Sequence, residues 1–163
     1  MLIRPLEVTK DLEAVVSFYA RAPDYWTLVD GIAPDRAKAR DFFETAPPNC
    51  DASASQHLGL YVEDRLAGLA DLFFGFPGAE DACIGLLLLG PWAREKGYGV
   101  IFLRHLEGLA VQGDASNLYL AVSNKNPRGR TFWEREGFLD TGLSGASGKG
   151  AHRHILHRLK KPL

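Results

Sequence analysis

Hydrophobic and polar positions along the chain follow two periods, one typical of helices and one typical of strands. In the first quarter, the spacing i, i+3, i+4, i+7 predicts a helix with Thr9 as its N-cap and with Leu12, Val15, Val16 and Tyr19 on its apolar face. A second helix is predicted to begin at Pro34 and to continue through Phe42 and Phe43. The segment 21–34 between them is predicted to be a long irregular connection.

Strand-like segments make up most of the remaining chain. Alternating or continuous apolar runs predict strands at 2–7, 57–63, 66–76, 82–89, 117–123 and 152–159. The run at 82–89 is continuously apolar, as expected for a central strand covered on both faces. Asp64 and Arg65 are predicted to form a tight turn. Residues 138–142 are a candidate seventh strand, and 143–150 are predicted to be a flexible loop.

Two further helices are predicted in the second half of the chain. One follows Gly99 and carries Phe102, Leu103, Leu106, Leu109 and Ala110 on one side, and the other ends at Gly137. No linker or internal repeat interrupts the pattern. We therefore expect a single mixed α/β domain over 1–163, with a central sheet of six to seven strands flanked by about four helices.

Composition narrows the classes of function. With 163 residues, 46% apolar and 24% charged, the chain is typical of one globular domain. The formal net charge of −1 does not favour nucleic acid or an anionic membrane surface as a partner. The N-terminus does not resemble a signal peptide, and the longest apolar run is too short to span a bilayer. Cys50 and Cys83 are isolated, which predicts a reducing, cytoplasmic location.

The start of the helix at Gly99 carries the first chemical signal. Residues 92–100 read WAREKGYGV, so Arg94, Lys96, Gly97 and Gly99 stand where unpaired backbone N–H groups collect at a helix N-terminus. Glycines there allow an anion such as a pyrophosphate to approach the backbone closely. A Walker loop is excluded because the spacing G-x-x-x-x-G-K-[ST] is absent. A Rossmann fingerprint would need a third glycine at position 102, where the chain has Phe102. A glycine-rich loop with an exposed basic face is the alternative.

A second motif lies downstream of this loop. Residues 117–138 contain Asn126, Gly129, Phe132 with Trp133, and Gly137 with Phe138. They come after the motif P-x-x-R-x-x-G-x-G at 91–99. Together, over residues 82–139, these motifs resemble the GNAT superfamily of acetyl-CoA-dependent N-acetyltransferases. The resemblance implies acetyl-CoA as co-substrate and no metal.

The resemblance also implies which residues bind the cofactor. Backbone amides of the loop would hold the pyrophosphate, at Arg94, Glu95, Lys96, Gly97, Tyr98 and Gly99. The preceding strand would pair with the pantetheine arm at Leu87, Leu88 and Leu89, and Asn126 would lie near the same arm. Trp133 stands where family members often carry a tyrosine that acts as general acid. Because an indole N–H does not ionise usefully, Tyr119 is a candidate substitute acid, with a buried hydrogen-bonded tyrosine as the alternative.

Three carboxylates are candidates for the general base. Asp71 interrupts an apolar strand, where a carboxylate is costly unless it is paired or hydrated, so its role is either structural or catalytic. Glu80 and Asp81 precede the strand 82–89, where family members often place a base that acts through water. Surface-turn acids are the alternative for both.

The acceptor side is predicted from the two connections that line it in the family, at 23–31 and 143–152. Asp24, Tyr25, Trp26 and Asp30 would form an aromatic, acidic pocket suited to an ammonium group, although Tyr25 and Trp26 are equally compatible with core packing. His152, His154 and His157 favour a solvated strand over a metal site.

These observations predict an N-acetyltransferase that acts on a primary amine of a small molecule or peptide. Direct attack in a ternary complex is favoured, because Ser123 has no recognisable His/Asp partner and Cys83 is expected to be a core residue. The main alternative is a non-catalytic acyl-CoA-binding or sensing module, and an interaction domain without a cofactor is a third. A homodimer is compatible with the resemblance.

Overall fold

A seven-stranded mixed sheet organises the molecule. The computed structural model describes all residues from Met1 to Leu163. Its strands are β1 (Leu2–Pro5), β2 (Gln56–Val62), β3 (Arg65–Phe74), β4 (Asp81–Leu89), β5 (Asn117–Ser123), β6 (Leu139–Ser147) and β7 (His154–Pro162). They lie in the order β1-β2-β3-β4-β5-β7-β6, and every neighbouring pair is antiparallel except β4 with β5.

Five α-helices flank this sheet. They are α1 (Val8–Arg21), α2 (Asp24–Asp30), α3 (Arg36–Glu44), α4 (Tyr98–Gln112) and α5 (Pro127–Arg135). The mixed α/β fold is therefore confirmed. The sheet has seven strands, within the expected range, and there is one helix more than expected. No helix has both the length and the apolar character that crossing a bilayer requires.

The additional helix, α2, lies inside the segment that was predicted to be irregular. It buries only Val29 among its residues, so its sequence carries almost no helical apolar period. Gly31 ends the helix in the left-handed conformation, with φ of 77°, and donates its N–H to the Thr27 carbonyl. A short helix with one buried side chain cannot be recognised from hydrophobic spacing alone.

Helix starts and one strand end also differ from the sequence prediction. Glu7 rather than Thr9 is the N-cap of α1, and its N–H donates to Asp11 in the first turn at 2.8 Å. α3 begins at Arg36 rather than at Pro34, and Asp35 is its N-cap, accepting from the Lys38 N–H. The β2–β3 turn is formed by Glu63 and Asp64, both with positive φ. Strand β6 extends into the predicted loop because it pairs with β7 as far as Ser147.

The core consists of two clusters, one on each face of the sheet. On one face, α4 and α5 pack over the sheet, with Phe102, Leu106 and Trp133 among the buried residues. On the other face, α1 and α3 pack on β3 and β4, which supply all the buried strand residues of that cluster. Strands β5, β7 and β6 therefore have no helix over them on this second face.

The two central strands diverge partway along their length. β4 and β5 are paired from Asp81–Asn117 to Ile84–Leu120 only. At that level β4 has a bulge, since Leu72 pairs with Ile84 while Asp71 pairs with Leu86, which leaves Gly85 as the extra residue. Beyond the bulge, β4 is hydrogen-bonded to β3 alone. The divergence opens a groove in the middle of the sheet.

Candidate active site

The groove between β4 and β5 is a cavity with a volume of about 830 Å³. Its walls come from residues 84–89 of β4, Leu120 to Val122 of β5, the loop and helix start at 94–100, and residues 126–135 around α5. All the predicted cofactor-binding residues line this groove except Lys96 and Tyr98. The structure thus brings together two motifs that are about 30 residues apart in the chain.

One end of the groove is lined by unpaired backbone N–H groups. From Glu95 to Val100 the backbone N–H groups donate to no acceptor within the chain, and the first that is bonded, at Ile101, donates to the Gly97 carbonyl at 3.2 Å. Gly97 has φ of 83°, a conformation that side chains other than glycine rarely adopt, and a Cβ there would meet nothing within 4 Å. This arrangement at a helix N-terminus is suited to bind a phosphate or diphosphate.

We call the row of free backbone N–H groups from Glu95 to Val100 the cradle. The Arg94 side chain does not point freely into it. Its Nε and Nη2 donate to the Leu89 carbonyl at 3.1 and 2.9 Å, and its Nη1 and Nη2 donate to the two carboxylate oxygens of Asp24. The same hydrogen bonds lower the pKa of Asp24. The Arg94–Asp24 pair therefore joins the end of β4 to the start of α2. A predicted phosphate ligand and a predicted acceptor ligand neutralise each other here.

The opposite wall of the groove is built by α5. Asn126 caps this helix by accepting from the Gly129 N–H at 2.9 Å, while its Nδ2 makes no hydrogen bond within the chain. Trp133 is 8% exposed and packs edge-on against Phe132 and Phe138, with ring centroids 4.9 and 5.4 Å away. Trp133 thus forms part of an aromatic wall of the groove.

Asp71 lies directly behind the β4 bulge. Its Oδ1 accepts from the Leu86 N–H at 2.7 Å, and a Cβ on Gly85 would come within 2.6 Å of that oxygen. Gly85 and Leu86 both line the groove, so the carboxyl group is separated from the cavity only by the bulge. Burial raises the pKa of Asp71 to about 7, against the opposing effect of backbone hydrogen bonds from Leu86 and Gly85.

The other predicted acid–base residues lie where β4 and β5 are still paired. Asp81 accepts from the Gly78 N–H at 3.1 Å and from Asn117 Nδ2 at 3.0 Å, at the start of β4. Glu80 is exposed in the adjoining turn. Tyr119 sits opposite Lys160 on β7, whose Nζ is 5.7 Å from its ring centroid. None of these three residues lines the groove.

The predicted aromatic and acidic pocket is filled by side chains of the chain itself. Lys38 Nζ lies 4.0 Å from the Trp26 ring centroid and 2.9 Å from an Asp30 carboxylate oxygen. Lys38 therefore occupies the position that was expected to receive a substrate ammonium group. Of the four predicted acceptor residues, Asp24 and Tyr25 line the groove, whereas Trp26 and Asp30 do not.

Sequence reasoning missed a buried pair at the far end of β5. Ser123 Oγ is 2.6 Å from His154 Nδ1, and it also accepts from the Lys125 N–H at 3.1 Å. The two residues are 31 positions apart, and only the β5–β7 pairing brings them together. Neither lines the groove.

Burial also raises the pKa of the Cys83 thiol to about 12, so this cysteine is not a thiolate near neutrality.

The β6–β7 loop reaches back to α2. The His152 ring packs against Gly31 so closely that a Cβ on Gly31 would overlap it. Leu28, one turn earlier, lines the groove and is 49% exposed. The two connections that the resemblance assigned to the acceptor side are therefore in contact.

Comparison with known proteins agrees with this geometry. The model of the Acetyltransferase (GNAT) family matches residues 23–138, whereas no curated protein sequence matches significantly. An acetyltransferase from Thermus thermophilus is similar in fold, with a TM-score of 0.74, 22% identity and coverage of 100% of this chain and 98% of that one. Ribosomal-protein-alanine N-acetyltransferase from Brucella melitensis is also similar in fold, with a TM-score of 0.74, 19% identity and coverage of 100% of both chains.

A third structure, ribosomal-protein-S18-alanine N-acetyltransferase from Escherichia coli, has a TM-score of 0.70 and 17% identity, with 99% of this chain and 92% of that one covered. At these identities the structures establish a shared fold. The family match extends over most of the chain, and the matched residues include β4, the cradle at the start of α4, and α5. The chain therefore belongs to the GNAT acetyltransferase family.

Proposed function

We propose that this protein transfers an acetyl group from acetyl-CoA to a primary amine by direct attack in a ternary complex. The observation that carries the proposal is the row of free backbone N–H groups from Glu95 to Val100, at the mouth of a groove between diverging strands. A helix N-terminus with this many free donors binds a diphosphate favourably. Membership of the family supplies the reaction type.

The residues of the groove are compatible with coenzyme A. The cradle suits its pyrophosphate, the edge of β4 that β5 leaves unpaired suits an amide-containing arm, and the free Nδ2 of Asn126 is a further donor. Acetyl-CoA, when bound, supplies an activated acetyl thioester. Trp133 supplies an apolar surface on one side of the groove.

Asp71 is the residue best placed to accept the amine proton. An alkylamine has a pKa of about 10.4, so its deprotonation at pH 7 costs about 4.6 kcal/mol, and a base at the groove offsets part of that cost. Asp71 Oδ1 is held by the Leu86 N–H, and no side-chain group is hydrogen-bonded to the carboxyl group, which leaves it able to take a proton. With a pKa of about 7, the group is partly ionised at neutral pH.

The test is a charged residue inside the cradle. Gly99 lines the groove, and a Cβ there would meet only ordinary contacts with Phe132 and Leu89, at 3.4 Å and beyond. Gly99→Asp places a carboxylate beside the diphosphate position without harming a helix N-terminus. We expect it to weaken acetyl-CoA binding at least about 100-fold by calorimetry, since like charges in a partly enclosed site repel strongly.

The matched control is Gly99→Asn, which adds nearly the same volume without the charge. Wild-type affinity should also fall for an acetyl-pantetheine probe that lacks the pyrophosphate. Equal acetyl-CoA affinity in Gly99→Asp and Gly99→Asn would contradict the role of the cradle. If acetyl-CoA binds but no amine in a panel of amino acids, peptides and polyamines releases thiol, the protein is a non-catalytic acyl-CoA-binding module.

Two other expectations stay predictions. Cys50 and Cys83 are both free thiols, which is compatible with a cytoplasmic location. A homodimer is testable by sedimentation.

A further inference from the structure

On the face that carries α1 and α3, the part formed by β5 and β7 is not covered by a helix and leads directly to the groove. Residues directly opposite each other on neighbouring strands share a face, so the pairs Tyr119–Lys160 and Ala121–Arg158 lie on one side of β5 and β7. Tyr119 is also opposite Cys83 of β4. We call Tyr119, Ala121, Arg158 and Lys160 the open face.

Ala121 connects the open face to the groove. It is exposed although it lies in an interior strand, and it lines the groove just beyond the last β4–β5 pair, at Ile84 and Leu120. α2 borders this opening through Tyr25 and Leu28, and the contact between His152 and Gly31 ties the β6–β7 loop to the same helix. A molecule that enters the groove from the side opposite α4 and α5 must therefore pass over the open face.

The carboxylates that border this entrance are either paired with a cation or buried. Asp24 pairs with Arg94, Asp30 pairs with Lys38, and Asp71 is buried behind the bulge at 6% exposure. No free carboxylate on α2 is left to attract a second ammonium group. A polyamine or another polycation would find no counter-charge there.

The cations of the open face, in contrast, have no carboxylate partner. Arg158 is half-buried, and its guanidinium group makes no hydrogen bond or ion pair within the chain; its Cζ lies 5.3 Å from the Phe76 ring centroid. Lys160 also lacks an ion pair and lies over Tyr119. Most other arginines of this chain pair with an acid, as Arg4, Arg36, Arg104, Arg128 and Arg130 do.

We propose that the acceptor is a primary amine that also carries a carboxylate, and that Arg158 determines this specificity by binding the carboxylate. This inference rests on the proposed acetyl transfer. The planar guanidinium group offers two parallel N–H donors to a carboxylate, a geometry that lysine cannot reproduce. Arg158 is paired with Ala121 on the neighbouring strand but does not itself line the groove, so it would bind the carboxylate just outside the entrance while the amine faces the groove.

Such a carboxylate has two sources, a free amino acid or an acidic side chain next to a peptide N-terminus. The turnover assay compares L-alanine with L-alaninamide, and the dipeptide amide Ala-Glu with Ala-Gln, by thiol release from acetyl-CoA. Within the pair that represents the true source, we expect the acid to be preferred about 10- to 100-fold in kcat/KM, as a charge-assisted hydrogen bond allows.

Arg158→Gln should remove this preference by raising KM for the acid, with little change for the neutral partner. Arg158→Lys should restore only part of it. The control is Arg65→Gln, which removes an exposed arginine that also lacks a carboxylate partner and stacks on Trp92 at 4.2 Å, away from the groove. A preference that Arg158→Gln leaves intact, or equal losses for acid and neutral acceptors, would overturn the proposal.

A binding measurement separates this proposal from the proposed function. Calorimetry in the presence of coenzyme A compares N-acetyl-L-alanine with N-acetyl-L-alaninamide, and the N-acetylated Ala-Glu and Ala-Gln amides with each other. Selective binding of a carboxylate that is lost in Arg158→Gln supports the proposal even in an enzyme that turns nothing over. Equal binding of acid and neutral compounds, or no binding of either, overturns it, while acetyl-CoA binding in the same series reports on the cradle independently.

Discussion

The two sides of the groove are built in different ways. On the side of α4 and α5, the functional groups are backbone N–H groups of one continuous segment and the cap of one helix. On the side of α2 and the open face, they are side chains from distant segments, as the pairing of Asp24 with Arg94 shows, 70 positions apart. A site made of backbone groups can be recognised from a local sequence motif, whereas a site made of side chains depends on how distant segments pack.

The largest expected effect in this comparison is at Asp71, where the two sides meet. Asp71→Asn keeps an oxygen that can accept from the Leu86 N–H but removes the proposed base, so kcat should fall by roughly 10²- to 10⁴-fold. Acetyl-CoA affinity, which depends on the cradle, should change little. In wild type, kcat/KM should rise with pH through a limb near the raised pKa of about 7, and this limb should vanish in the variant. An unchanged pH profile would exclude Asp71 as the base.

The same substitution should have a pH-dependent effect on stability. Because burial raises the pKa of Asp71 to about 7, the folded state binds this proton more tightly than the unfolded state, whose aspartate pKa is about 3.9. The contribution of Asp71 to stability is therefore greatest below about pH 4 and declines as pH rises toward 7, at about 1.36 kcal/mol per unit. Denaturation of both proteins at several pH values should show Asp71→Asn gaining relative stability over that interval.

A smaller effect is expected at the pair that joins the two sides. Asp24→Asn releases Arg94, so α2 loses its attachment to the end of β4, and KM for the amine should rise several-fold. Acetyl-CoA affinity should be unchanged or higher, because Arg94 becomes available to the cradle. Stability should fall by no more than about 1 kcal/mol, since both partners are partly exposed.

Asp30→Asn is the matched control for that prediction. It removes another paired carboxylate from α2, yet its partner Lys38 has no contact with the cradle. Steady-state kinetics with both substrates varied should separate the two variants. Equal changes in the two KM values for Asp24→Asn would show that the pair does not act on the acceptor side.

The smallest functional effect is expected at Trp133. Trp133→Tyr keeps an aromatic wall in the groove, so acetyl-CoA affinity should change less than about tenfold, while the loss of buried ring area should lower stability by about 1–3 kcal/mol. Turnover should be retained or increased, because the tyrosine adds a group that can give up a proton. A large loss of turnover in a folded variant would show that the indole itself shapes the site.

Regular elements with a strong apolar period were predictable. The buried strand β4 and the helix α4 both appear where the sequence pattern indicates them, because each buries a long apolar surface whose spacing is visible in the chain. α2 was missed because it buries a single side chain, and the end of β6 was missed because pairing with β7 rather than burial holds it.

The same distinction holds for the site. The sequence by itself determined the cradle, since glycines at a helix start leave backbone donors accessible whatever surrounds them. The tertiary structure alone decided that Lys38 fills the predicted ammonium pocket, that Ser123 meets His154, and that Arg158 is left without a carboxylate partner. The physical reason is that a side chain's charge is a property of its residue, whereas its neutralisation depends on which distant group the fold places beside it.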